Sequence, residues 1–177
     1  MKRSVWVIGS VVLLVGLVAW LVLRPKSENV AIDLVAQFPS AVEKRPAPET
    51  FSLIDATVAG VTKRAIYTKD SSRIAWNVTM PDNAWLLVSA ALTEEAWPVE
   101  GDGVLFRISA NDNELLNVVI NPFRDPSVRK WQDFQIDLSE FAGQNLNLFL
   151  KTNASASGRA NTSGDFAVWG NPRIVTR

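Results

Sequence analysis

The sequence contains no cysteine and no histidine. Without cysteine there are no disulfides, thiolate nucleophiles, Cys-ligated zinc or iron–sulfur clusters; without histidine the usual general base and the commonest metal and haem ligand are missing. Neither sign of charge predominates, because 18 Lys and Arg face 18 Asp and Glu. No Lys/Arg block or basic helix is present to follow a phosphate backbone, so a nucleic-acid partner has no footprint. Nothing in this composition calls for a cofactor or a metal. What the chain does have is apolar residues, 47% of 177, including seven Trp. That length allows one ordinary domain and an appendage.

Residues 5–23 form an uncharged apolar run of nineteen. As a helix it is about 28 Å long, close to the hydrocarbon thickness of a bilayer, which predicts one transmembrane span. The flanks do not fit a cleaved signal peptide, since Leu17 and Trp20 surround Ala19 where small residues are required. Trp6 and Trp20 mark the two interfaces, and Arg24 and Lys26 reach toward phosphates. Gly9, Gly16 and Ala19 share a face on which a neighbouring membrane helix could pack closely. Lys2 and Arg3 precede the span and Arg24 and Lys26 follow it, so the α-amino group tips the expected orientation toward a cytoplasmic N-terminus. The expected location is a bacterial cytoplasmic membrane, with the rest of the chain periplasmic or extracellular. The span and its flanks hold four basic residues and no acidic one, leaving a net charge of −4 on the remainder.

Residues 24–49 combine a short apolar patch with Pro39, Pro46 and Pro48, which predicts a tether. From residue 50 onward the hydrophobic period becomes two. Ile74, Trp76 and Val78 alternate with Arg73, Ala75 and Asn77; Val104, Phe106 and Ile108 with Leu105, Arg107 and Ser109; Phe134, Ile136 and Leu138 with Asp133, Gln135 and Asp137; and Leu146, Leu148 and Leu150 follow the same period. Further strands are predicted at 51–58, 63–68, 84–92, 114–121 and 166–175, about nine in all. With no long amphipathic helix, the pattern predicts an all-β, two-sheet sandwich over 50–177. One helical turn is expected at residues 137–143, capped by Asp137 or Ser139 and ended by Gly143, and a polar loop at 153–164.

Three segments in order carry a family resemblance: Gly101-Asp102-Gly103-Val104-Leu105-Phe106-Arg107-Ile108, then Trp131 leading to residues 136–144, then Ala167-Val168-Trp169-Gly170-Asn171-Pro172-Arg173-Ile174. Together they resemble the galactose-binding-like jelly-roll domains, particularly the carbohydrate-binding modules of bacterial glycosidases and membrane-attached proteins. The resemblance implies a jelly-roll sandwich that meets sugars, glycans, lipids or proteins through loops at one end. Asn171 departs from it, since that position is often acidic in the family.

Candidate contacts follow from chemistry. Trp97, flanked by Glu94, Glu95, Glu100 and Asp102, could stack on a sugar ring between carboxylates; the plainer alternative is a solvated hairpin with an aromatic lid. No acid–base pair suited to hydrolysis stands out, so a non-enzyme is expected. Residues Asn121, Phe123, Arg124 and Asp125 form a loop of mixed chemistry suited to a protein or glycan. Asn111 to Glu114 supplies oxygens without the order of a known calcium loop, so an ordinary turn is expected. Trp76, Trp85, Trp131 and Trp169 fall within strand patterns and are assigned to the core, with Trp169 and Asn171 also kept as docking candidates. The leading expectation is an accessory subunit that inserts beside other membrane subunits and stabilises a larger complex, for instance respiratory or photosynthetic. The alternative is a membrane-tethered carbohydrate-binding module.

Overall fold

The computed structural model describes residues 29–154 and 162–177. The predicted span, with Trp6, Gly9, Gly16, Ala19, Trp20, Arg24 and Lys26, lies outside the described residues. Among the described residues no helix is long and apolar enough to cross a membrane.

Eleven strands are described: β1 (Asn29–Asp33), β2 (Glu43–Arg45), β3 (Phe51–Val58), β4 (Val61–Lys69), β5 (Ser72–Thr79), β6 (Ala84–Leu92), β7 (Val104–Ala110), β8 (Asn113–Ile120), β9 (Gln132–Asp137), β10 (Asn145–Asn153) and β11 (Phe166–Thr176). One sheet runs β3-β4-β11-β6-β9, with β1 on the far half of β11; the other runs β2-β5-β10-β7-β8. Every pairing is antiparallel. The two sheets enclose one apolar layer that includes Trp76, Phe106, Leu148 and Trp169, as an aligned sandwich requires.

The period-two segments become β3 to β11 because alternation leaves one face apolar and burial of that face drives pairing. On β10, Leu146, Leu148 and Leu150 are buried while the residues between them are not. The helical turn is Ser139–Phe141, where Asp137 Oδ1 accepts from the Ser139 N–H at 2.9 Å. Residues 111–112 are a plain hairpin turn: Asn111 adopts φ +49, and its Oδ1 accepts from Asn147 N at 2.9 Å.

Residues 29–49 correct the expected tether. Asn29–Asp33 pairs with the far half of β11, and Glu43–Arg45 forms the edge of the second sheet against β5. Leu34 is fully buried, its N–H donating to Pro172 O at 3.1 Å, and Trp76 Nε1 donates to Gln37 O at 2.9 Å. The apolar patch that looked like a spacer closes the core. Trp85 is a second correction, for it lies half-buried on the outer face with the Arg177 guanidinium 4.7 Å above its ring.

A second apolar cluster coats the outer face of the first sheet, where Ala56, Val58, Ala65, Ala91 and Val168 support Trp131. Trp131 is 8% exposed and its Nε1 donates to Val61 O at 2.9 Å. Gly170 permits this packing, since a Cβ there would sit 2.8 Å from the indole. Gly170→Ala should therefore destabilise the domain by about 1–3 kcal/mol through overpacking. Thermal unfolding would show a lowered midpoint, and the same change in a Trp131→Ala background would cost clearly less.

Candidate functional site

Antiparallel pairing carries the connections after β2, β4, β6, β8 and β10 to one end of the sandwich. The sequence candidates gather there. Asn121 Nδ2 donates to Gly101 O at 3.0 Å and Asn121 Oδ1 accepts from Arg124 N at 3.1 Å, so Asn121 joins two loops. A Cβ on Gly103, which has φ +80, would lie 2.6 Å from that of Asn121. Asp125 Oδ1 accepts from Ser127 N at 2.9 Å, capping the short turn Pro126–Val128. The Ser127 hydrogen bonds hold its carboxyl below the usual carboxylate range. Trp97 is half-buried under the Arg129 guanidinium, 5.9 Å away, and packs onto the outer apolar cluster. Phe123 is 39% exposed, while Arg124 and Glu100 also reach solvent.

Two candidates fall elsewhere. Trp169 is 1% exposed with its ring 4.9 Å from Phe106 at 82°, inside the core. Asn171 sits half-way along β11 at φ +43, in the bulge that accommodates Pro172. Asparagine tolerates that left-handed backbone, which is reason enough for its presence there.

Sequence reading missed Asp165, at the same end. It is 1% exposed, and among the described residues neither carboxylate oxygen has a hydrogen-bond partner. Burial, reinforced by the charges of Asp102 and Asp70, pushes its carboxyl up to about 7.

Also missed was a basic groove. An open cavity of about 580 Å³ borders this end on the outer face of the second sheet, lined in part by Arg45, Ser71, Arg73, Arg107, Lys151 and Asn153. Its size lies within the range of small-ligand sites, about 300–1,000 Å³. Arg73, Arg107 and Lys151 occupy outward positions of period-two strands, as polar residues do, Arg45 lies on the short edge strand β2, and only strand pairing assembles the four. Phe149 on β10 supports two of them, with Lys151 Nζ 4.7 Å and the Arg73 guanidinium 5.6 Å from its ring centre. Burial, followed by the Arg107 and Arg73 charges, lowers the Lys151 ammonium below the usual lysine range.

No family model matches the chain. An uncharacterized protein of Archaeoglobus fulgidus is 39% identical over 116 residues, 62% of this chain and 28% of that protein. The chain therefore spans less than a third of the length of this curated relative. Among solved structures, the M60 catalytic domain with the CBM51-1 and CBM51-2 domains of Clostridium perfringens ZmpB aligns at TM-score 0.59 with 12% identity, over 84% of this chain and 15% of that one. The CBM51 of Clostridium perfringens GH95 in complex with methyl-galactose aligns at 0.51 with 14% identity, over 87% of this chain and 95% of that one. A CBM61 in complex with beta-1,4-galactotriose aligns at 0.51 with 12% identity, over 76% and 88%. The fold is one that carbohydrate-binding modules adopt. At these identities the likeness concerns the sandwich alone.

Proposed function

We propose that this β-sandwich is a non-catalytic glycan-binding module, held at a membrane by the span at residues 5–23. The observation that carries the reading is the open groove of about 580 Å³, bordered by Arg45, Arg73, Arg107 and Lys151 beside the loop-bearing end. Sugar recognition needs a concave surface with polar groups fixed in position and an apolar support. Here the second sheet provides rigidity, Pro46 an apolar wall, and the guanidinium and ammonium groups the donors, with Phe149 packed against Arg73 and Lys151. Neighbours of the same fold include modules in complex with methyl-galactose and with a galactotriose, which adds weight to this reading over an accessory subunit of a membrane complex.

A panel of neutral and acidic oligosaccharides titrated into the full chain in mild detergent tests the proposal. Saturable binding is expected, weakened at least tenfold by Arg73→Ala. Trp97→Ala, which lies outside the groove lining, should leave it within about twofold; a larger loss in the folded variant would move the site to the loops. Absence of saturation with every sugar at about 10 mM, weaker than −3 kcal/mol, would overturn the reading.

A further inference from the structure

The four cations of the groove are not merely near one another. Arg45 stands directly opposite Arg73, Arg73 opposite Lys151, and Lys151 opposite Arg107, on β2, β5, β10 and β7. They form one unbroken row of like charge across four adjacent strands. Side chains directly opposite on antiparallel strands are the closest neighbours a sheet offers, and like charges there oppose folding. The row is no by-product of a basic chain, since the whole sequence is neutral.

The surrounding carboxylates compensate this charge only in part, Asp112 and Glu114 acting on Lys151 without an ion pair to it. One carboxylate serves two of the four: Glu43 Oε1 lies 2.7 Å from Arg45 Nε and 2.5 Å from the Arg73 guanidinium. Lys151 Nζ donates to a neutral group, Ser109 Oγ, at 2.8 Å. Arg107 Nε is buried without a hydrogen-bond partner. Among the described residues neither Lys151 nor Arg107 makes an ion pair. The groove on the opposite sheet shows the contrast. There Lys63 Nζ meets Asp133 Oδ1 and Ser89 Oγ, both at 2.6 Å, and Asp133 lines the same cavity, so that lysine is paired within the groove it lines.

We infer that the row Arg45–Arg73–Lys151–Arg107 binds an acidic glycan, seating the carboxylate or sulfate of its sugars on the guanidinium and ammonium groups. The inference rests on the glycan-binding reading and adds the class of ligand. Planar guanidinium groups pair in bidentate fashion with such anions. The row crosses three strand gaps, roughly 15 Å, which suits an oligosaccharide better than a single sugar. The carboxylates of Glu100 and Asp102 at the neighbouring loop end oppose a polyanion that extends beyond the row, such as a nucleic acid.

The test uses the full chain in mild detergent and ligand pairs that differ only in charge: an oligogalacturonate against its methyl ester, and a sulfated galacto-oligosaccharide against its desulfated parent. At least tenfold tighter binding of one or both charged members is expected, weakening as salt rises. Arg107→Gln and Lys151→Met should each lower that affinity at least tenfold, while Lys151→Arg retains it. The unliganded variants should melt no lower than the parent, because each relieves a like-charge pair. A lowered midpoint with affinity unchanged would make the row structural and overturn the inference. Equal binding of charged and neutral members would overturn it while leaving the glycan-binding reading intact, and no binding of any sugar would overturn both. Tighter binding to phosphatidylglycerol vesicles or to a single-stranded oligonucleotide than to either acidic sugar would also overturn it.

Discussion

Replacing Trp169 by alanine should remove about 3–5 kcal/mol of stability, the usual cost of deleting a buried indole. Trp169 stands opposite Ile66 on β4 and Ala90 on β6, at the centre of the first sheet. Its ring crosses to the second sheet and meets the edge of Phe106 at 4.9 Å and 82°. Truncation removes contacts to both sheets at once, and neighbours anchored in strands cannot collapse into the space. For a chain of this size the melting midpoint should fall by roughly 6–20 °C, with Trp169→Phe recovering much of the loss. Circular dichroism of the full chain during thermal unfolding would measure it. Glycan affinity of the folded Trp169→Ala protein should stay within about twofold of the parent; a selective loss of affinity with the midpoint unchanged would return Trp169 to the ligand site.

Asp165→Asn should have the opposite sign, and its effect should depend on pH. The folded carboxyl is pushed up to about 7 from its ordinary value of 3.8. A raised carboxyl pKa means that the fold tolerates the neutral form and disfavours the charged one. The stability tied to Asp165 is therefore fully present below about pH 3.8 and declines as pH rises toward and through 7. Above that the fold holds a carboxylate with no hydrogen bond to either oxygen, beside Asp102 and Asp70. Asparagine removes the charge with little change in shape. At pH 8 it should stabilise the domain by a few kcal/mol at most, on the order of three pH units of linkage. At pH 3.5 the difference should vanish. Urea unfolding of both proteins at pH 3.5, 6 and 8 would settle it, and an equal effect at all three values would show that the carboxyl is not the cause. Asp133, held low by its hydrogen bonds to Lys63 and Ser89, contributes a pH dependence of the other sign, which the paired comparison cancels.

The strands from Phe51 onward were legible because each carries its own instruction. Alternation such as Ile74-Ala75-Trp76-Asn77-Val78 has one apolar face whatever its partner, and burial of that face decides the structure. Residues 29–49 carry no such instruction. Asn29–Asp33 and Glu43–Arg45 are too short to define a face, and they become strands because β11 and β5 present open edges to them. The tryptophans divide the same way. Trp76 and Trp169 were readable as core, but Trp85 faces outward, and Trp131 fills an outer pocket that exists only because Gly170 lies opposite it. In the loops, proximity in sequence showed that Trp97, Glu100 and Asp102 share a region, whereas the Asn121–Gly101 hydrogen bond that joins it to the next loop needed the fold.

What the sequence determined by itself is local. The missing histidine and cysteine turned attention from catalysis to binding, the apolar run at residues 5–23 led to the expectation of a membrane span, and the period-two segments predicted a sandwich. Tertiary structure decided where charge accumulates. Arg45, Arg73, Arg107 and Lys151 are each an unremarked polar position in their own strand, far apart along a neutral chain. Pairing register alone makes them a row, because a shift of one residue on β5, β7 or β10 would point its cation into the core.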